Sequence, residues 1–344
     1  MSVTRMFRLA ACGLVLATGA QGAYALEDIP TTSGFSGTLG IGAGYTDAET
    51  NLVKGSSLWD IGQESVSSVS RSPKGEDDAF IFPRGEFAYT FGGPQIQLFL
   101  ASDVEELVDL EVLQQVGIRK QFETLGIVSL GYVTSGLLNQ EVWQDPYSSG
   151  SSRSDTDREF TGVRFEWDRI AGLPIGLLFQ YKDIEVDDER SGSALGLTLE
   201  QQSDLSREGD NYRAEFSYTW RRSANEVFRP YFGYVDADLD GDATKYSGPY
   251  VGLDAGYQNE TWGVAGRARV GSKDKSERNP VYNRRTDGDW YEIVLRGNYR
   301  LPWGENWFGT GGVAWAKEEN NVNFHDQRNL LFTLGAEWRF GPDK

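Results

Sequence analysis

The 344-residue chain is poor in the residues that staple or catalyse: one cysteine, one histidine and two methionines. It also lacks any apolar run of the roughly 18 or more residues that a membrane-crossing helix needs. Basic residues are outnumbered, 33 against 51 acidic, and the net charge of -18 argues against nucleic acid as a partner. Hydrophobic residues make up only 39%. Against these scarcities stand 18 Phe, 16 Tyr, 10 Trp and 41 Gly, an aromatic content too high for a disordered chain. The length alone suggests two domains, yet no Pro-rich linker or composition break divides the chain, so one large all-β unit fits as well.

The N-terminus has the layout of an export signal. Arg5 and Arg8 precede an apolar stretch from Leu9 to Ala17, and Ala23-Tyr24-Ala25 supplies the small-x-small pattern that signal peptidase accepts. Residues 1–25 are therefore read as a cleaved signal peptide and 26–344 as the mature domain. Cys12 opens the apolar stretch instead of closing it, which argues against lipidation. Its removal with the signal leaves no thiol for a disulfide or for catalysis.

The mature chain alternates with a period of two. Phe35, Leu39, Ile41, Ala43 and Tyr45 share one parity, and Ser36, Thr38, Gly40, Gly42 and Gly44 the other. Tyr212, Ala214, Phe216, Tyr218 and Trp220 repeat the pattern around Arg213, Glu215, Ser217 and Thr219. Continued along the chain, the template predicts fourteen strands near 35–45, 80–91, 95–102, 109–122, 126–134, 159–169, 175–184, 211–221, 227–236, 246–258, 262–271, 289–301, 307–317 and 329–340. Most have the 9–11 residues that a tilted strand needs to cross a bilayer. Tight turns at 92–94, 171–174 and 302–306 alternate with long polar segments at 46–79, 135–158, 185–210, 237–245, 272–288 and 318–328, with a short exception at 103–108. The expected fold is all-β: a transmembrane antiparallel up-and-down β-barrel with short periplasmic turns and long external loops. Pro83, Pro230 and Pro249 fall inside proposed strands, which keeps twelve strands as the alternative count.

The two parities differ in chemistry. One carries Val128, Leu130, Tyr132, Val163, Phe165, Trp167, Ile293, Leu295 and Tyr299 and is assigned to lipid. The other is assigned to the lumen: Arg84, Glu86, Gln97, Glu111, Arg119, Arg164, Glu166, Asp168, Lys182, Arg213, Glu215, Arg229, Asp254, Arg267, Arg269, Glu292, Arg296, Glu337 and Arg339. A soluble sandwich would bury the apolar parity instead. Strand length argues against it, as do aromatics gathered at both strand ends, which suit the two interfaces of a bilayer. Phe91, Phe122, Trp167, Trp220, Tyr299 and Phe340 mark one end, and Tyr45, Tyr132, Tyr181, Tyr234 and Trp315 the other.

The last predicted strand, with Leu330, Phe332, Leu334, Ala336, Trp338 and Phe340 on one parity, ends four residues before the C-terminus. Here the chain resembles Gram-negative outer-membrane porin-like barrels, most closely monomeric fourteen-stranded porins. The resemblance is architectural and carries no binding residue. It implies that the closing strand is read by the barrel-assembly machinery, with a four-residue tail as a departure, and that the protein lies among outer-membrane lipids and lipopolysaccharide.

The expected function is a channel for passive diffusion of small hydrophilic solutes through a mixed-charge lumen. Its charges form either a transverse field or internal ion pairs. Arg213, Arg267, Arg269 and Arg296 are close enough in strand order for a basic ladder suited to small anions such as carboxylated sugars. The alternative is a non-conducting surface barrel acting as an adhesin or receptor through acidic loops containing Asp103, Glu105 and Glu106, or Glu185 to Asp210. No cofactor is expected beyond Ca2+, for which Asp236, Asp238, Asp240 and Asp242 copy the opening of a calcium loop, with Ser247 where its closing Glu belongs. Leu195, Leu197 and Leu199 suggest a constriction or a raised hairpin, and Leu58, Trp59 and Ile61 a lid. His325 and Asp326 have no nucleophile beside them, so no enzyme is expected.

Overall fold

Alternating side chains give alternating burial along most of the long strands, as in Gly34–Glu49 and Glu226–Leu239. The computed structural model describes residues 28–108, 110–136 and 139–341, and the expected signal peptide lies outside them. The strands are β1 (Gly34–Glu49), β2 (Val53–Ser56), β3 (Gly75–Phe91), β4 (Ile96–Glu106), β5 (Glu111–Phe122), β6 (Gly126–Thr134), β7 (Gln140–Trp143), β8 (Asp155–Asp168) and β9 (Ile175–Val186). They continue as β10 (Gly209–Tyr218), β11 (Trp220–Arg221), β12 (Glu226–Leu239), β13 (Tyr246–Gln258), β14 (Trp262–Lys275), β15 (Gly288–Arg300), β16 (Trp307–Asn320) and β17 (Gln327–Phe340). The one α-helix among the described residues, α1 (Leu199–Ser203), lies in an external loop.

Fourteen staves close into an antiparallel barrel. β1 pairs with β3 on one side and with β17 on the other, from Gly37 opposite Phe340 to Glu49 opposite Arg328. β10 and β11 form one stave interrupted at Thr219, and both pair with β12. β2 and β7 are not staves. β7 continues the pairing of β6 along the external end of β8, and β2 adds to β7 as a ledge. Every predicted strand is present, most of them extended by several residues at the external end, and the count is fourteen.

Pro230 and Pro249 keep their register within β12 and β13. Pro83 sits where β3 pairs only with β1, because β3 meets β4 over Phe87–Phe91 alone.

The outward face is apolar, with Leu130, Val163, Ile293, Leu295 and Leu334 all exposed on it. Exposed rings mark both rims: Phe35, Trp220, Tyr299, Trp303 and Trp307 at the short turns, and Tyr45, Tyr132, Tyr212 and Tyr234 near the external ends. This large exposed apolar surface would drive association in water and is stable in contact with acyl chains.

Glycine makes room for aromatic rings on the inner face. Phe82 and Phe80 of β3 lie over Gly42 and Gly44 of β1, and a β-carbon at Gly42 would come 2.5 Å from the Phe82 ring. Gly42→Val is expected to destabilise the barrel by about 1–3 kcal/mol through overpacking. Thermal unfolding in micelles checks this, and an unchanged midpoint contradicts it.

Candidate functional site

The interior is filled from above by a hairpin that leaves the wall. Beyond Leu100, β4 separates from β3 but stays paired to β5 up to Glu106 opposite Glu111. Val104, Leu107, Val108, Leu110 and Val112 are all buried, in a cluster with Trp59, Ile61, Phe80, Phe82, Val294, Ala314, Ala316 and Leu331. Burial of each large apolar side chain contributes roughly 1.5–3 kcal/mol, so the hairpin is a packed plug. Residues 103–106, read above as part of a short external loop, are strand, and an aperture set by fourteen staves alone is not what the structure has.

Glu105 locks the plug to the far wall. Its carboxylate meets Arg164 of β8, Lys182 of β9 at 2.5 Å and Arg213 of β10 at 3.1 Å, and accepts from Gln180 at 3.0 Å. Its backbone carbonyl accepts from Arg269 of β14 at 2.8 Å. Only 5% of Glu105 is exposed, so its assignment to a solvated acidic loop is corrected: four cations on the opposite wall draw it inward. Glu111 binds Arg158 at 2.9 Å and Lys182, and Asn329 of β17 donates to the carbonyls of Leu107 and Val108.

The remaining predicted interior residues are buried or half-buried. Most are in ion pairs, within one strand or between strands one or two apart in the wall. Asp254 receives Arg229 at 3.3 Å and Arg267 at 3.0 Å. Glu292 receives Arg269 at 2.5 Å, and Glu337 receives Arg84 at 3.1 Å and Arg339 at 2.7 Å. Glu215 binds Arg213 and accepts from the Tyr250 hydroxyl at 2.6 Å. Arg119 donates to Gln97 at 2.7 Å. Glu86, Glu166, Asp168 and Arg296 lie on the same face. Of the two arrangements open from the sequence, internal pairing is the one these contacts realise.

Above the plug the external segments share a hydrophobic core. Val66, Tyr147, Leu205, Ala243, Val322 and Phe324 come from five segments far apart in sequence, with Leu197, Val281 and Tyr282 packed beside them. Tyr147 stacks on Phe324 at 5.7 Å between ring centroids, and its hydroxyl accepts from Asn279 at 3.0 Å. Burial pushes that hydroxyl's pKa up to about 12. Arg153 ties the segments together by donating to the carbonyls of Asn51 at 2.7 Å and Gln63 at 2.6 Å. The leucine-rich segment is neither a constriction nor a raised hairpin: Leu195 ends a 3-10 turn, Leu199 begins α1 and is 84% exposed, and the buried residue is Leu205. Trp59 and Ile61 are buried as expected of a lid, but against the plug.

The four aspartates of the calcium-loop pattern are divided between a strand and the turn that follows it. Asp236 and Asp238 lie within β12, where Ser247 is paired opposite Asp236, and Lys245 binds Asp238 at 3.3 Å and Asp242 at 3.0 Å. Among the described residues no three His, Cys, Asp or Glu side chains are placed to hold a metal ion. An extended strand spreads ligands that a calcium loop would wrap round one point.

His325 lies half-buried in the cap. Its ring lies 3.5 Å from the Tyr147 hydroxyl, while Asp326 accepts from the backbone of Asn320. Burial, with Lys275 nearby, lowers its pKa from 6.5 to about 3. The unfolded chain therefore takes up a proton below about pH 6.5 and the folded cap does not. Stability is full above that pH and falls towards about pH 3, by up to about 1.4 kcal/mol per unit. Protease accessibility of the cap at pH 7 and pH 4 checks this. His325→Gln is expected to remove the pH dependence, and an unchanged slope contradicts the assignment.

Two cavities lie between cap, plug and wall. The upper is lined by Arg158, Lys182, Arg207, Lys273 and Lys275 among others, and the lower reaches Leu107, Val108 and Trp290. Tyr246 and Lys273 line both. The plug residues, Lys273 and Lys275 are not among the interior residues legible from the sequence. The visible signal was the shortness and apolarity of the segment between β4 and β5.

A closed barrel of fourteen antiparallel staves, apolar outside and charged within, is a membrane-spanning β-barrel of the outer-membrane type. The chain belongs to the family described as "Protein of unknown function (DUF2860)", whose model matches residues 34–339. It is similar in structure to the TodX monoaromatic hydrocarbon channel, in a deltaS2 mutant (10% identity, 90% of each chain covered, TM-score 0.44). A Pseudomonas aeruginosa FadL homologue (11% identity, 89% of this chain and 91% of that one, TM-score 0.42) is another similar structure. The outer membrane channel DcaP of Acinetobacter baumannii is a third (8% identity, 89% and 98%, TM-score 0.41). Among curated proteins no sequence match was found. Likeness at this level leaves the functional reading to the chain's own residues.

Proposed function

We propose that the protein is an outer-membrane channel for small hydrophilic solutes, held closed by the β4–β5 plug. The observation that carries this reading is the upper cavity, which lies inside the barrel's external end and is lined by charged side chains as well as apolar ones. A barrel of this strand number is wide enough to conduct once a plug moves. The paired interior residues, from Arg84 and Glu86 to Glu337 and Arg339, would line the path, and diffusion through it would be passive. Export by the N-terminal signal, insertion through the barrel-assembly machinery and contact with lipopolysaccharide belong to the same reading.

Planar-bilayer recording of the purified barrel tests it. Discrete ohmic steps are expected, and a folded, inserted barrel that never conducts overturns it. The sealed interior favours one other reading, a surface receptor or adhesin whose cap binds a partner. That reading predicts no conductance even when the plug is removed.

A further inference from the structure

We infer that the two cavities form one binding site for a small aromatic carboxylate. The inference rests on the channel reading for its role in passage, but binding itself is measurable without conductance.

The alternation of β14 places Arg267, Arg269, Gly271, Lys273 and Lys275 on the inner face. Gly271 interrupts the cations, and the space it vacates is taken by rings: a β-carbon there would lie 2.8 Å from Trp290 and 2.7 Å from the Cβ of Tyr250. Tyr250 and Trp290 are 5.7 Å apart. Cations sit over these rings and their neighbour: Arg269 at 5.5 Å from Trp290, Arg213 at 5.3 Å from Tyr250, and Lys273 and Lys275 at 5.4 and 4.6 Å from Tyr246. Each such pair offers a ligand an aromatic face and a positive charge side by side.

The charge of the lining favours an anion. Seven cationic side chains line the two cavities, against six carboxylates in contact with them, Glu105, Glu111, Glu189, Glu215, Glu292 and Glu318, so the balance is positive by one. Where the cavities meet, Lys273 is bound by Glu318 at 2.7 Å, and Lys275 adds a second charge, held to the Thr244 carbonyl at 2.9 Å. A carboxylate placed there gains two charge-assisted hydrogen bonds.

The body of the ligand is set by the lower cavity. Leu107, Val108 and Val235 face Trp290 and Tyr250 there, and Ser272 is the one neutral aliphatic hydroxyl in the lining. A sugar acid would leave several of its hydroxyls without partners against these walls, whereas an aromatic ring would not.

Titration calorimetry of the purified full barrel with benzoate, acetate, benzyl alcohol and glucuronate tests the assignment. Benzoate is expected to bind at least tenfold more tightly than the other three. Lys275→Gln is expected to weaken benzoate at least tenfold, and Trp290→Leu to bring benzoate down to acetate. Lys317→Gln, a change at a partly exposed ion pair with Glu319, is expected to leave binding unchanged. Heat-modified mobility on gels confirms that each variant is folded. Benzoate binding no tighter than acetate, benzyl alcohol or glucuronate, or unaffected by both cavity variants, overturns the inference. A barrel that conducts without binding benzoate refutes this site and leaves the channel, whereas one that binds benzoate but never conducts refutes the channel and leaves the site.

Discussion

Replacing Glu105 by alanine is expected to convert a barrel that opens rarely into one that opens frequently, with single-channel steps that last much longer than the parent's. The carboxylate is shared by Arg164, Lys182 and Arg213, and its removal takes from Arg164 its carboxylate contact and leaves Lys182 and Arg213 with one carboxylate each, Glu111 and Glu215. Breaking a buried pair from one side costs about 3–5 kcal/mol, and here the cost falls on the plugged state, because in an open barrel water would solvate the cations. The apolar contacts of Val104, Leu107, Val108, Leu110 and Val112 still favour closure, so the expected result is gating, not a permanent hole. Replacing residues 104–111 by a short turn should remove both terms and give a steady conductance several times larger. If both variants insert in folded form and stay silent, the hairpin is not the gate.

Truncating Phe324 to alanine is expected to have the second large effect, confined to the cap. Its ring is fully buried and stacks on Tyr147, with Tyr282 beside it. Deleting such a ring costs about 3–5 kcal/mol, and the cap's short segments have few other apolar contacts with which to offset the loss. The barrel ladder does not pass through this residue. The expected pattern is therefore rapid proteolysis within 187–208 and 276–287, with barrel resistance to detergent unchanged. Cleavage no faster than in the parent would show that the external segments hold their places independently. Loss of barrel resistance would show that cap and wall unfold together.

The staves were legible because a strand writes its two environments on alternate residues. Ile293 and Leu295 against Glu292 and Arg296 already separate the lipid side from the interior, and no distant contact is needed to read them. Pairing each stave with the next also follows from short turns, which is why the strand order agreed throughout. The interior partners were less legible. Arg267 beside Asp254 is a neighbour-strand contact that register alone supplies, but Glu105 meets cations on β8, β9 and β10, across the barrel.

The DxDxDG run is a related case. Ligand spacing implies a calcium loop only if the backbone turns, and the pairing of Asp236 with Ser247 keeps the first half of the run extended, up to Leu239. Local pattern and local conformation are separate facts when a neighbouring strand decides the second.

Composition and alternation by themselves determined a barrel with an apolar exterior, a charged interior and acidic loops, because each of these depends on residues one or two positions apart. The tertiary structure alone decided that the shortest external connection folds inward as a plug, that the acidic segments are knit over it by Tyr147 and Phe324, and that Lys273 and Lys275 meet Tyr246 and Trp290 around a shared cavity. Those outcomes depend on contacts between segments tens to hundreds of residues apart, and on a balance of buried charge and apolar area that no single segment contains.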